Sequence, residues 1–337
     1  EIVTAAKTRG GIHVCVDDQQ LAQIEEQVKF HDPKLTIIRF PAWDCLPYDR
    51  VSPSTVIVAQ RLSALAQFTT QPQAQRLVLT TVNAITQRIV PKSMVQGSSF
   101  RAAPGQRVSG DNLQAFLVDN GYSRTGTVVD PGDFAVRGGL IDIFPPGAEQ
   151  PVRLDFFGDT LESIRSFDPH TQRTTEQLKS FQLNAANEVL LAKDAIAHFR
   201  KNYAEAFSGI DTNDPLYESV TGGRRYQGME HWLPLFHGQL ETLFDYLPES
   251  IVTLSHMVHE STAARHVQID EYFDARREAL SKQNFGAAPY KPLPPQRLYI
   301  MPDAWRHLLA DRTIAETTPF ERPESTAISF GGRHGKT

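Results

Sequence analysis

The chain has 337 residues, a formal net charge of −5, and 22% charged against 40% hydrophobic residues, the balance of a globular protein of two or three domains. No apolar run approaches the roughly 20 residues of a membrane span, and the acidic excess argues against bulk electrostatic binding of nucleic acid, leaving only a local basic patch open. The two cysteines, Cys15 and Cys45, lack metal or redox spacing, which suits a reducing cytoplasm better than a disulfide framework. The opening EIVTAAKTRGG has neither an initiator Met nor a signal peptide's apolar stretch, so the expectation is a piece of a longer chain.

Residues 11–16 (GIHVCV) read as a strand, and Asp17-Asp18 as the cap of a helix through about residue 30, with Leu21, Ile24 and Val28 on one stripe. A second strand is expected at 35–40, then the loop PAWDCLPYDRVSP, a helix over 55–68 with Val58, Leu62 and Leu65 inward, and a third strand at 75–80. Residues 82–90 predict a helix that Pro91 ends. This alternation implies a parallel α/β sheet. From 97 to about 188 the pattern changes to short strands broken by Gly and Pro, with one helix at 111–120, and a helix over 193–207 leads out. Strand and helix character returns after 226, with IVTLSH as a strand, a helix over 260–280, the Pro-rich connection PYKPLPPQR and a strand RLYIM. The expected fold is α/β with an inserted β-rich α+β domain: 1–96 and 193–315 as two pieces of one domain, 97–192 as the insertion, and 316–337 as a linker or tail.

The segment 130–168 combines strand pattern, turn chemistry and candidate functional side chains. Val152, Leu154 and Phe156 alternate with Arg153, Asp155 and Phe157, so the first set faces a core and the second faces away from it. Gly158-Asp159 predicts a two-residue turn, which would set Phe156 across from Leu161 and Phe157 across from Thr160. Phe157 then shares an exposed face with Arg153, Asp155 and Glu162, and an aromatic beside an arginine is what a protein-binding hot spot uses. The alternative, that another part of the chain covers Phe157, stays open on pattern alone. Arg137 precedes Gly138-Gly139, where a bulge is expected to aim its side chain.

Other motifs carry less. The final GGRHGKT has Phe330 where a phosphate loop needs its first Gly, and no residues follow to form the helix. His256-Met257-Val258-His259-Glu260 has the wrong order for a zinc helix and reads as a strand end and helix start. Trp43, Asp44, Tyr48, Asp49 and Arg50 follow the second strand, where α/β proteins bind ligands, although the two aromatics read better as covers of a sheet edge. Arg224-Arg225 beside Gly222-Gly223 reads as a solvated turn with a phosphate contact as the alternative.

The series FPAWDCLPYDRVSP, RLSALAQF, DFAVRGGLIDIFPPG, PVRLDFFGDTLESIRSFDPHTQRT, LFDYLPES and LPPQRLYI resembles the N-terminal region of bacterial transcription-repair coupling factors, the module similar to the excision-repair protein UvrB. The resemblance runs from about residue 11 to 309. It implies a degenerate RecA-like domain in two sequence pieces, with a β-rich, UvrA-binding domain inserted between them. It places the family's UvrA-contacting residues on Arg137, Arg153 and Phe157. It also implies a lost nucleotide site, since Thr253-Leu254-Ser255-His256 stands where UvrB has the acids that hold magnesium. The stretch from Tyr48 to Ala59 is too short for UvrB's damage-probing hairpin. The implied role is recruitment of UvrA without catalysis and without a cofactor in this segment. ATP, Mg, DNA and RNA polymerase would engage other parts of a full-length chain, which could also mask the UvrA face. The competing expectation is a UvrB-type ATPase fragment.

Overall fold

The computed structural model describes residues 2–71, 75–282 and 290–318. After a helix Ile2–Arg9, three strands appear early: β1 (Gly11–Cys15), β2 (Ile37–Phe40) and β3 (Leu77–Thr81). The middle holds β4 (Phe100–Ala102), β5 (Ser123–Arg124), β6 (Asp133–Arg137), β7 (Leu140–Ile143), β8 (Val152–Phe157), β9 (Thr160–Phe167), β10 (Thr174–Gln177) and β11 (Phe181–Leu183). The last strands are β12 (Ile251–Leu254) and β13 (Ile314–Glu316).

The first sheet runs β13-β12-β1-β3-β2, parallel throughout. Its strands come from both sides of the β-rich middle, so the chain returns to its starting sheet after building the second one. A parallel sheet covered on both faces needs strands that are apolar along their length, and β1 and β3 are buried at every position. The Asp17 carboxylate starts the helix Asp18–His31 by accepting the Gln20 amide at 2.8 Å, satisfying one of the donors that a helix start leaves open. Ser54 caps Thr55–Thr70 in the same way, and that helix buries Val58, Leu62 and Leu65 as their spacing predicts.

Two expected elements are replaced. Only Val82–Ile85 of 82–90 is helical, because the Arg88 and Ile89 amides donate to the Leu298 and Glu241 carbonyls instead of to their own turn. RLYIM is not a strand: Pro295–Arg297 is a 3-10 turn, and Tyr299 makes a single bridge to Gln87. The Tyr299 amide turns back to the Pro295 carbonyl at 2.8 Å and the Ile300 amide donates to the Thr86 carbonyl at 2.7 Å, so these donors are taken outside any ladder. The sheet edge comes instead from β13, which has too few residues to show a period. The segment Ile2–Arg9 is likewise a helix that the sequence pattern did not mark.

The second sheet runs β10-β9-β8-β7-β6-β5, antiparallel except for the β5–β6 pair. The helix Gly110–Asp119, capped by Ser109, lays Leu113 and Leu117 on the inner face, where they join Ile141, Ile143, Leu154 and Ile164 in one core. A buried ion pair ties this part to the parallel sheet: Arg61 Nε meets Glu188 Oε1 at 2.6 Å, and both side chains are fully buried. Among the described residues no helix is long and apolar enough to cross a membrane.

Candidate functional site

Gly158, at φ 57°, and Asp159 close a two-residue turn between β8 and β9. Phe156 pairs with Leu161 and Phe157 with Thr160, as a turn of that length requires. The register then shifts, because Asp155 pairs with Ser163 and leaves Glu162 as the extra residue of a bulge. Strict alternation from Leu161 would have sent Ile164 outward. The bulge turns Ile164 into the core and Arg165 out beside Arg153.

Residues 134–144 are not one bulged strand, which corrects the sequence expectation. Gly138-Gly139 closes a second two-residue turn, with Gly138 at φ 60° and Arg137 paired to Leu140. Position 139 must be glycine, since a Cβ there would stand 2.8 Å from the Phe156 carbonyl. The Phe156 amide donates to the Gly139 carbonyl at 2.8 Å, which seats the two turns side by side and brings Arg137 and Phe157 to the same end of the sheet.

Phe157 is 76% exposed, so no other part of the described chain covers it. Arg137 is exposed and donates to the Gly126 carbonyl at 2.6 Å and the Thr127 hydroxyl at 3.3 Å. Both acceptors are neutral, and no carboxylate lies within ion-pair distance of it among the described residues.

Arg153 differs from the expectation that it stands free on this face. It lies on the outer side of β8, but its side chain is only 17% exposed and forks onto buried Asp142 at 2.7 and 2.8 Å. Its guanidinium sits 4.7 Å from the Phe167 ring centroid, and the Asp142 bond raises its pKa above the usual arginine value. The cause is what covers the face. Phe167, Ala135, Phe144 and Val128 form a small apolar cluster on that side, and Gln172 clips the loop over it by donating to the Val128 carbonyl at 3.0 Å. One end of the outer face is therefore packed, and the turn end carries Phe157, Arg137 and Asp155, with Arg165 at the border between them.

The second candidate position ends β12. Thr253, Leu254 and Ser255 are buried and bring no carboxylate. Facing them from β1 is His13, which the sequence reading passed over: its ring bonds Thr253 Oγ1 at 2.8 Å and Ser255 Oγ at 2.9 Å. Burial holds the His13 pKa down at about 4 and pushes the neighbouring Cys15 thiol up to about 12, so the place is uncharged at neutral pH. Next to it, the start of the helix after β1 is filled by the Asp17 carboxylate, where a phosphate loop would present free amides. This donor set does not suit a magnesium nucleotide. His256 and Met257 lead into the helix Val258–Ser281, with Met257 at φ 68°; His259 pairs with Glu316 at 3.0 Å.

His13 also sets a pH dependence. An unfolded histidine titrates near 6.5, so between that value and about 4 the unfolded chain binds the extra proton and stability falls as pH drops through this window. Buried His231 is held at about 4 for the same reason. Acidification from pH 7.5 to 5.5 should cost roughly 1 kcal/mol per histidine, read as a falling melting temperature with a shallower slope in His13→Gln. Melting that ignores pH over this range would show that these rings are not buried neutral.

The remaining candidates have contacts within the chain. Trp43 donates to Glu188 at 2.8 Å and Tyr48 to the Leu293 carbonyl at 3.0 Å, while Asp44 accepts the Ser54 amide. Asp49 lines an open cleft of about 370 Å³ with Asn83, Arg265 and Gln268, and Arg50 lies 5.7 Å from the Tyr290 ring centroid. Arg224 pairs with Glu218 and Arg225 with Glu230, both at 3.0 Å. Cys15 and Cys45 are free thiols. The GGRHGKT segment lies outside the described residues.

Residues 100–189 match the UvrB interaction domain family, and they contain both turns and the whole outer face. That match gives the class of the β-rich part: a UvrB interaction domain. The chain is 32% identical over 286 residues to the transcription-repair-coupling factor of Rickettsia bellii (strain RML369-C), covering 85% of this chain and 25% of the relative. It is 34% identical over 294 residues to that of Escherichia coli (strain K12), covering 86% and 24%, and 39% identical over 220 residues to that of Myxococcus xanthus, covering 63% and 18%. The chain thus spans about a quarter or less of the length of these curated relatives. The resemblance read from its residues holds: the chain is similar to transcription-repair-coupling factors over most of its own length, and the matched domain supports an N-terminal, UvrB-like module of that family.

Proposed function

We propose that this chain is a non-catalytic, UvrB-mimicking recruitment module that docks UvrA through the outer face of its β-rich domain and so links excision repair to stalled transcription. The observation that carries the proposal is Phe157, 76% exposed at the tip of the matched domain, at the same sheet end as Arg137 with its unneutralised charge. An aromatic anchor beside a guanidinium is the usual make-up of an interface hot spot. Arg153 enters as the residue that holds the strand through Asp142. We read the parallel sheet as a degenerate RecA-like domain in the pieces 1–96 and 193–315, with the insertion at 97–192 and a linker at 316–337. DNA, RNA polymerase, ATP and Mg are assigned to the remainder of a full-length cytoplasmic chain, which is also the source of any masking of the face.

Titration of UvrA tests the docking. Phe157→Ala should weaken affinity by about 2 kcal/mol or more, roughly thirtyfold, with melting unchanged because the ring is a surface group. Affinity equal to the parent's would place docking elsewhere. No DNA-stimulated ATP turnover is expected from this segment, given the hydroxyl and imidazole groups at Thr253, Ser255 and His13 and the Asp17 carboxylate at the helix start. Turnover that survives rigorous purification would restore the ATPase reading.

A further inference from the structure

The two outward arginines of β8 and β9 stand directly opposite each other, Arg153 across from Arg165, and they are not equally satisfied. Arg153 has a two-point contact with a buried carboxylate. Arg165 has one bond, from Nη2 to Asp155 Oδ2 at 3.1 Å, with both partners 37% exposed. Its Nε is shielded from solvent and has no acceptor among the described residues. A guanidinium reaches full strength only when its fork meets two oxygens, and a like charge directly opposite makes the present arrangement less comfortable still. An incoming carboxylate would meet the solvent-facing nitrogens of this 37% exposed side chain and also relieve its repulsion from Arg153.

We propose that Arg165 is a further anchor of this face and takes a carboxylate of the docking partner, Asp155 holding the side chain until that group displaces it. This rests on the docking reading given above. The bulge at Glu162 is what makes it available, since without the extra residue Arg165 would point into the core.

The test is calorimetric titration of UvrA into the parent chain, Arg165→Ala, Arg165→Lys, Asp155→Asn and Phe157→Ala, with a melting curve for each. Arg165→Ala should weaken binding roughly tenfold at an unchanged melting temperature, and Arg165→Lys should recover only part of that, since an ammonium lacks the planar fork. Asp155→Asn should bind at least as tightly as the parent. If Arg165→Ala binds as the parent does while Phe157→Ala loses affinity, the carboxylate contact is wrong and the docking face stands. If both bind as the parent, the docking face itself falls and Arg165 with it. Equal losses from Asp155→Asn and Arg165→Ala would also overturn the assignment, because the pair would then act as one structural unit.

Discussion

Glu188→Ala should lose about 3–5 kcal/mol of stability, the usual consequence of stripping one partner from a fully buried ion pair. Both side chains are completely shielded, and Glu188 has two tasks: Oε1 meets Arg61 Nε at 2.6 Å, and Oε2 accepts the Trp43 indole N–H at 2.8 Å. Its removal strands the Arg61 charge between the Phe40 and Trp43 rings, whose centroids lie 4.7 and 5.7 Å from it. The Pro41 carbonyl, which Arg61 Nη1 reaches at 2.8 Å, is neutral and does not compensate a buried cation. A domain's whole stability is about 5–15 kcal/mol, so the loss is a large share of it. Glu188→Gln keeps an acceptor for Trp43 and should fall between parent and Ala. The double change Arg61→Met with Glu188→Leu should cost less than Glu188→Ala alone, because no charge is then left buried. Denaturant unfolding of the set decides the matter: a Glu188→Ala midpoint at the parent's would mean that water reaches Arg61.

The same residues show what a sequence can and cannot reveal. The turn at Gly158-Asp159 and the inward set Val152, Leu154 and Phe156 were legible because both depend on neighbours in the chain. The bulge at Glu162 was not, since an extra residue is defined by the partner strand. Alternation put Arg153 on the outer side correctly, but a face carries no mark of what folds over it, and Phe167 with the Gln172 loop arrives from the far end of the hairpin. His13 looked like one polar residue in the apolar strand GIHVCV. Its partners, Thr253 and Ser255, come 240 and 242 positions later. Arg61 and Glu188, 127 positions apart, likewise carry no local sign of their pairing. Local periodicity reports the direction of a side chain, whereas a buried polar pair needs both partners to be seen together.

Buried pairing also separates two residues that the sequence pattern grouped as one hot spot. Arg153→Ala should destabilise the β-rich domain by about 3–5 kcal/mol, because it leaves Asp142, whose side chain is 4% exposed, charged and without its fork. Asp142 of β7 is paired with Arg153 of β8, so the damage falls on the central strands that carry Leu154 and Ile141 into the core. The cation over the Phe167 ring is lost as well. Any fall in UvrA affinity in this variant would then be partly a loss of folded domain, unlike the fall expected for Phe157→Ala. Asp142→Asn with Arg153→Gln removes both charges and should recover much of the stability, which separates the two effects. In that double variant the fold is present and the guanidinium is gone, so its affinity reports any direct contact that Arg153 makes. Urea melts and titrations on the same samples provide the comparison. Parent-like stability of Arg153→Ala would mean that Asp142 finds water or another cation, and the fork would then be an ornament of the surface rather than a support of the sheet.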